Sequence, residues 1–226
     1  LFRSQRMPMN SSYEHVVALT AEHVRAKLAG EPTGHDWFHT ERVWRNAVRI
    51  GTEEGADLFV VQLAALLHDI ADWKFSGDET AGPREAESWL SAIGVADATI
   101  AHVCDIIARL SFKGAGVEDA LTSLEGRVVQ DADRLDALGA IGIARAFAYG
   151  GYKHRLIHDP RIPPQLHATF EEYKNSTGTT INHFYEKLLL LKDRMHTRTA
   201  RRMAEERHRF MEEFLKQFHR EWKGEV

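Results

Sequence analysis

An all-α fold is expected for this chain, a helical bundle with the C-terminal helices packed on it, and three observations lead there. Apolar residues recur at helical spacing along most of the 226 residues. No segment alternates apolar and polar residues as a half-buried strand does. Cap and turn signals (Ser11, Gly30, Pro32 with Gly34, Pro83, Gly94, Gly150-Gly151) fall between the periodic segments rather than inside them.

The elements follow in order. Ser11 and Glu14 have capping-box spacing, and Val16, Val17, Leu19, Val24 and Leu28 then mark a helix that stops at Gly30. A second helix starts near Asp36 and runs through Val43, Trp44, Ala47 and Val48 to about Glu54. From Leu58 to Ala71 only Gln62, His68 and Asp69 are strongly polar, so this third helix is expected to be buried on nearly all sides. Pro83 suits a first helical turn and Gly94 a helix end. Asp97 can cap the next helix, which carries Ile100, Val103, Ile106 and Ile107. Thr122 and Glu125 again have capping-box spacing and open a long small-residue helix to about Tyr149. Pro160 to Gly178 is the loosest stretch. Two helices follow, one with Phe184, Leu188 and Leu191, the other with Met203, Phe210, Met211, Phe214 and Phe218.

The chain is long enough for a sizeable core, and one domain is expected over residues 11–226, with 1–10 as a leader outside it. A net charge of -4 and a pI of about 6.4 speak against holding nucleic acid or an anionic membrane by bulk charge. Arg198 to Arg209 is charge-rich, but Glu205 and Glu206 interrupt it, and a solvated helix face is the reading. The single cysteine, Cys104, permits no internal disulfide. No apolar run approaches the roughly 20 residues of a membrane span, so the cytoplasm is the expected compartment.

Chemistry is suggested by where histidines and carboxylates fall. With 13 His and 13 Asp in 226 residues, chance predicts about 0.7 His-Asp dipeptides, and there are three. His35-Asp36 precedes a helix and reads as turn plus cap; His158-Asp159 precedes Pro160 in a loop. Only His68-Asp69 ends a buried helix, where an imidazole and a carboxylate are costly unless paired or bound to metal. His39 at a helix start, and Asp131, Asp133 and Asp136 on a close-packing helix, complete a set that could hold a divalent metal. The alternative from spacing alone is a His68–Asp hydrogen bond with Asp–Arg pairs tying helices together.

Three stretches carry a resemblance. His35-Asp36-Trp37-x-His39-x-x-Arg42-Val43, Ala64-Ala65-Leu66-Leu67-His68-Asp69-Ile70-Ala71-Asp72 and Val128-Val129-Gln130-Asp131-Ala132-Asp133-Arg134-Leu135-Asp136 resemble, in order, the motifs of HD-domain metal-dependent phosphohydrolases. Ser111-Phe112-Lys113-Gly114 and the stretch from Ile181 to Leu188 resemble one subgroup, small stand-alone bacterial hydrolases similar to nucleoside triphosphate pyrophosphohydrolases. The resemblance runs from about residue 12 to 222.

It implies a single HD domain and metal ligands His39, His68, Asp69 and Asp133. The family's first ligand lies just before the x-x-Arg-Val stretch and its last is the Asp of Ala-Asp-Arg-Leu, so the resemblance implies His39 rather than His35 and Asp133 rather than its neighbours. Asp136, one turn on, is expected to pair with Arg134 or Arg42. Only His102 lies between Asp69 and Asp133, which implies one divalent metal (Mn, Mg, Fe, Co or Ni) and argues against a two-metal oxygenase. Asp72, four residues after His68, is the candidate to handle the attacking water. Lys74, Lys113 and Ser111 are candidates to hold phosphates, with Arg145, Lys153 and His154 behind them. The implied reaction is release of pyrophosphate from a (deoxy)nucleoside triphosphate. The alternatives are a nucleoside monophosphate phosphatase, another phosphodiesterase of the superfamily, or a regulatory domain that binds a nucleotide without turnover. A small-molecule nucleotide is thus the expected partner, neither nucleic acid nor membrane is expected, and a homodimer through the C-terminal helices competes with their Phe/Met stripe being core.

Overall fold

The computed structural model describes residues 9–30, 36–71, 80–110, 121–166 and 178–225, and among these there are helices and no strands. The elements are α1 (Met9–Lys27), α2 (Trp37–Glu54), α3 (Leu58–Leu67), α4 (Ala81–Ala92) and α5 (Asp97–Arg109). After them come α6 (Leu124–Asp136), α7 (Gly139–Tyr152), α8 (Thr180–Glu186), a 3-10 helix (Leu188–Arg194) and α9 (Arg198–Trp222). None of these helices is long and apolar enough to cross a membrane.

The bundle is built around α3. Val60, Val61 and every residue from Leu63 to Leu67 are buried, and α1, α2, α5 and α6 pack around them. Gln62, the polar exception, accepts a hydrogen bond from Trp44 Nε1 at 3.1 Å. Truncating Leu66 or Leu67 to Ala is expected to cost about 2–5 kcal/mol, since neighbours on all sides cannot collapse into the gap.

Two contacts fix the helix directions. Asp57, the N-cap of α3, donates its backbone N–H to Glu125 at the start of α6. His39, at the start of α2, meets Asp136 at the end of α6. So α3 and α6 run alongside in the same sense and α2 runs against both. The start of α2 and the ends of α3 and α6 therefore share one end of the bundle.

The expected long helix from Thr122 to Tyr149 is two helices. Ser123, not Thr122, is the side-chain cap of α6. The helix stops at Asp136, the chain turns through Ala137 and buried Leu138, and α7 leaves in a new direction. The turn needs its glycines. Gly139 has φ +71°, and a Cβ at Gly142 would lie 2.2 Å from the Ala137 carbonyl oxygen. Small-residue content, read as close helix approach, here also serves a chain reversal.

Other boundaries shift by less. α1 begins at Met9, ahead of Ser11. Ala96 occupies the N-cap of α5, with Asp97 inside the first turn. The helix expected to hold Phe184, Leu188 and Leu191 is α8 plus the 3-10 helix, with Lys187 between them. α9 is laid on the bundle as expected. Thr199 N donates to Glu54 Oε1 at 2.7 Å, and Arg202 pairs with Glu53 at 2.7 Å. Arg198, Arg201, Arg202, Glu205, Glu206 and Arg209 face solvent.

Candidate metal centre

The shared end of the bundle gathers the four residues that the motifs select. Asp36 caps α2, its carboxylate accepting the His39 N–H at 2.9 Å, and this presents His39 on the first turn. His68 is the C-cap of α3, with Asp69 next in the turn that follows. Asp133 comes from the last turn of α6. His39 and His68 are 0% and 2% exposed, Asp69 is 15% and Asp133 37%, so the cluster is closed behind the imidazoles and open at the carboxylates.

Hydrogen bonds behind the rings set which nitrogen faces inward. His39 Nδ1 lies 2.7 Å from Asp136 Oδ2 and donates to it. His68 Nδ1 lies 2.8 Å from the Ala65 carbonyl oxygen and donates to it. With both Nδ1–H groups spent in this way, both Nε2 atoms turn their lone pairs into the cluster, only 3.3 Å apart. Two lone pairs at that distance repel unless a cation or proton lies between them. Asp69 Oδ2 lies 3.4 Å from each Nε2, and Asp133 Oδ1 lies 3.5 Å from His39 Nε2 and 4.0 Å from His68 Nε2. Donors about 2.1 Å from one metal sit roughly 3.0–3.4 Å apart between right-angled and tetrahedral arrangements. His39 Nε2, His68 Nε2 and Asp69 Oδ2, 3.3–3.4 Å apart, thus fit a single divalent ion, with Asp133 Oδ1 standing further out. Among the described residues His39, His68 and Asp69 form a group whose ligand atoms all lie within 4.8 Å of one another.

The electrostatics agree. Burial pushes the His68 imidazole down, but the charges of Asp69 and Asp133 outweigh it and raise the pKa to about 9. In a metal-free cluster a proton therefore takes the cation's place. Asp136 is opposed in the same way: burial pushes its carboxyl up, and the hydrogen bonds from His39 and Arg42 hold it far below the usual range. Arg42 Nε donates to Asp136 Oδ1 at 2.7 Å and Arg145 Nη1 to Oδ2 at 3.0 Å. This is the carboxylate-behind-histidine arrangement that steadies metal ligands.

Of the two partners expected for Asp136, Arg42 is the one found; Arg134 instead reaches the Arg194 carbonyl. The contact that sequence reasoning missed is His39 to Asp136, 97 residues apart. Its one signal was that Asp136 and Asp133 lie three apart on a helix face. Arg145 is held by Asp136. Lys153 caps the far end of α7, about 20 Å of helix from the start of that element, with its ammonium over the Tyr149 and Tyr152 rings. His154 is exposed beside it. His102 stands beside Glu125 at the opposite end of α3. Asp72, Lys74, Ser111 and Lys113 lie outside the described residues.

Comparison with known proteins bears on the same residues. The HD domain family model matches residues 37–138, which contain all four converging side chains. The Bacillus subtilis protein YpgQ is 42% identical over 203 residues, covering 89% of this chain and 91% of its own. An HD-superfamily hydrolase from Bacillus thuringiensis is 44% identical, covers 93% of this chain and 98% of its own, and superposes with a TM-score of 0.74. The chain belongs to the HD superfamily of metal-dependent phosphohydrolases. A Lactobacillus plantarum protein of known structure, 41% identical, matches this HD protein with a TM-score of 0.83 over 93% of this chain and 98% of its own. One YpgQ crystal structure is a complex with ADP; it superposes with a TM-score of 0.74 and 36% identity over 93% of this chain and 96% of YpgQ.

Proposed function

We propose that the protein hydrolyses a phosphoanhydride bond of a nucleotide at one divalent metal held by His39, His68, Asp69 and Asp133, releasing pyrophosphate from a (deoxy)nucleoside triphosphate. The observation that carries this reading is the inward pair of imidazole nitrogens 3.3 Å apart, faced by two carboxylates. Bound there, a divalent ion acidifies water toward a pKa of about 7 and neutralises phosphate charge. The chain supplies the rest. Asp136 and the Ala65 carbonyl hold the rings so that neither can rotate its inner nitrogen away. Asp72, four residues past His68, takes the water's proton, and Lys74, Lys113 and Ser111 hold the phosphates that do not react.

The nucleotide assignment draws on the ADP complex of YpgQ. Whether the metal is Mn, Mg, Fe, Co or Ni and which bond is cut are both tested by one screen. Nucleotides are incubated with each metal and the products are read by phosphorus NMR. Pyrophosphate plus monophosphate supports the proposal. Inorganic phosphate from a monophosphate makes it a nucleotidase. Binding without turnover makes it a regulatory domain.

A further inference from the structure

A cavity of mixed lining opens behind the metal centre, with Asp136 on its wall and none of the four converging residues in it. It measures about 290 Å³ and is lined by Arg42, Arg45, Asn46, Gly139 and Arg207 among others. Three guanidiniums face one carboxylate, and that carboxylate is already shared among His39, Arg42 and Arg145. Arg42 is paired with Asp136 and Arg45 with Glu41, which leaves Arg207 as the lining guanidinium with no ion-pair partner among the described residues.

Arg207 is the decisive residue. It is half-buried on α9, and among the described residues no carboxylate lies within ion-pair distance of it. Its Nη1 donates to the Leu135 carbonyl and its Nη2 to Asn46 Oδ1 at 3.5 Å, both neutral acceptors. Burial pushes its pKa down and Arg49 adds to that, while the more distant charges of Asp136 and Glu206 act the other way. A half-buried guanidinium that meets carboxylates only at a distance is costly to desolvate, and an anion beside it lowers that cost. The backbone around it is shaped for close approach. Gly139 is left-handed, and a Cβ there would press on Arg207 Cβ and Cγ at 3.2 Å. The cavity also takes in the first three residues of α7, Gly139, Ala140 and Ile141. Leu138 gives this helix no side-chain cap, so their N–H groups have no intrahelical acceptor.

We infer that this cavity binds a phosphate group, free or at the end of a small ester, between Arg207, Arg45 and the start of α7. Arg45 supplies reach, being largely exposed and pinned only by Glu41 at 2.8 Å. Arg42 joins the site to the metal centre, because the same guanidinium anchors Asp136 and through it His39.

The test uses Ala140→Asp, which places a carboxylate in the cavity on an exposed helix start, where the dipole favours it and folding is preserved. Inorganic phosphate and phenyl phosphate are titrated at constant ionic strength against chloride, reading phosphorus line width and thermal midpoint. His68→Ala serves as the background, to remove phosphate binding at the metal. The His68→Ala protein is expected to keep a saturable phosphate response. Adding Ala140→Asp or Arg207→Gln weakens it about tenfold or more, as expected for losing a charged hydrogen bond. A response to inorganic phosphate alone means a free-ion site; a response to both means a phosphate-ester site. The proposal is overturned if His68→Ala shows no saturable response, or if the response survives Ala140→Asp at unchanged midpoint. Should His68→Ala not fold, wild type against Ala140→Asp decides by whether one saturable phase disappears.

Discussion

Asp131 and Asp133 stand two residues apart on α6 and have opposite lives. Asp131 is fully buried, and its carboxylate accepts from His196 N at 2.9 Å and from Thr197 N and Oγ1, each at 2.8 Å. It ties the start of α9 to the bundle. Asp133 faces two imidazole nitrogens at 3.5 and 4.0 Å and is open to solvent. Two residues rotate a helical side chain by about 200°, so one helix can show a satisfied carboxylate to its C-terminal partner and an unsatisfied one to the site. A carboxylate whose hydrogen bonds are complete serves stability; one that faces ring nitrogens at the open side of the cluster is proposed to serve a cation.

The largest expected effect breaks that contrast from the site side. Asp133→Ala should lower nucleotide hydrolysis by about 10³-fold, in line with losing several kcal/mol of charge stabilisation, while the thermal midpoint stays near wild type. Assay and calorimetry on the same preparation check both halves. Asp131→Ala should do the reverse. It leaves three donors at the α9 junction without an acceptor, for a loss of about 2–4 kcal/mol in denaturant unfolding, with metal binding retained.

Asp136→Asn probes the residue behind the cluster, since Asp136 completes the hydrogen bonds of the proposed ligand His39. Metal affinity by isothermal titration should fall about 10–100-fold. Smaller still is a pH effect in the metal-free protein. His68 has a raised pKa of about 9, so its proton stabilises the fold fully below about pH 6.5 and that contribution is lost as pH rises through about 9. A metal must displace the same proton, so apparent affinity should climb up to tenfold per pH unit until about pH 9 and then level off. A flat affinity from pH 6.5 to 9 contradicts the assigned protonation.

Much of this was legible in the sequence because it was local. The cap at Asp36 and the burial of α3 follow from spacing within a few residues, and the choice of His39, His68, Asp69 and Asp133 rests on motifs that resemble the family's. What escaped was set at long range or by backbone shape. The break between α6 and α7 depends on a left-handed Gly139 packed on Arg207, 68 residues away. The role of Asp136 depends on His39 from another helix, and the local pattern offered Arg134 as an equal partner for it. The Asp131 cap on α9 spans 66 residues to Thr197.

His39, His68, Asp69 and Asp133 are proposed to form the metal centre of a nucleotide hydrolase. The most direct test of that assignment is His68→Ala against wild type, with bound metal measured by elemental analysis and nucleotide hydrolysis on the same samples. The variant is expected to lose both together. Unchanged metal content and unchanged hydrolysis would contradict it.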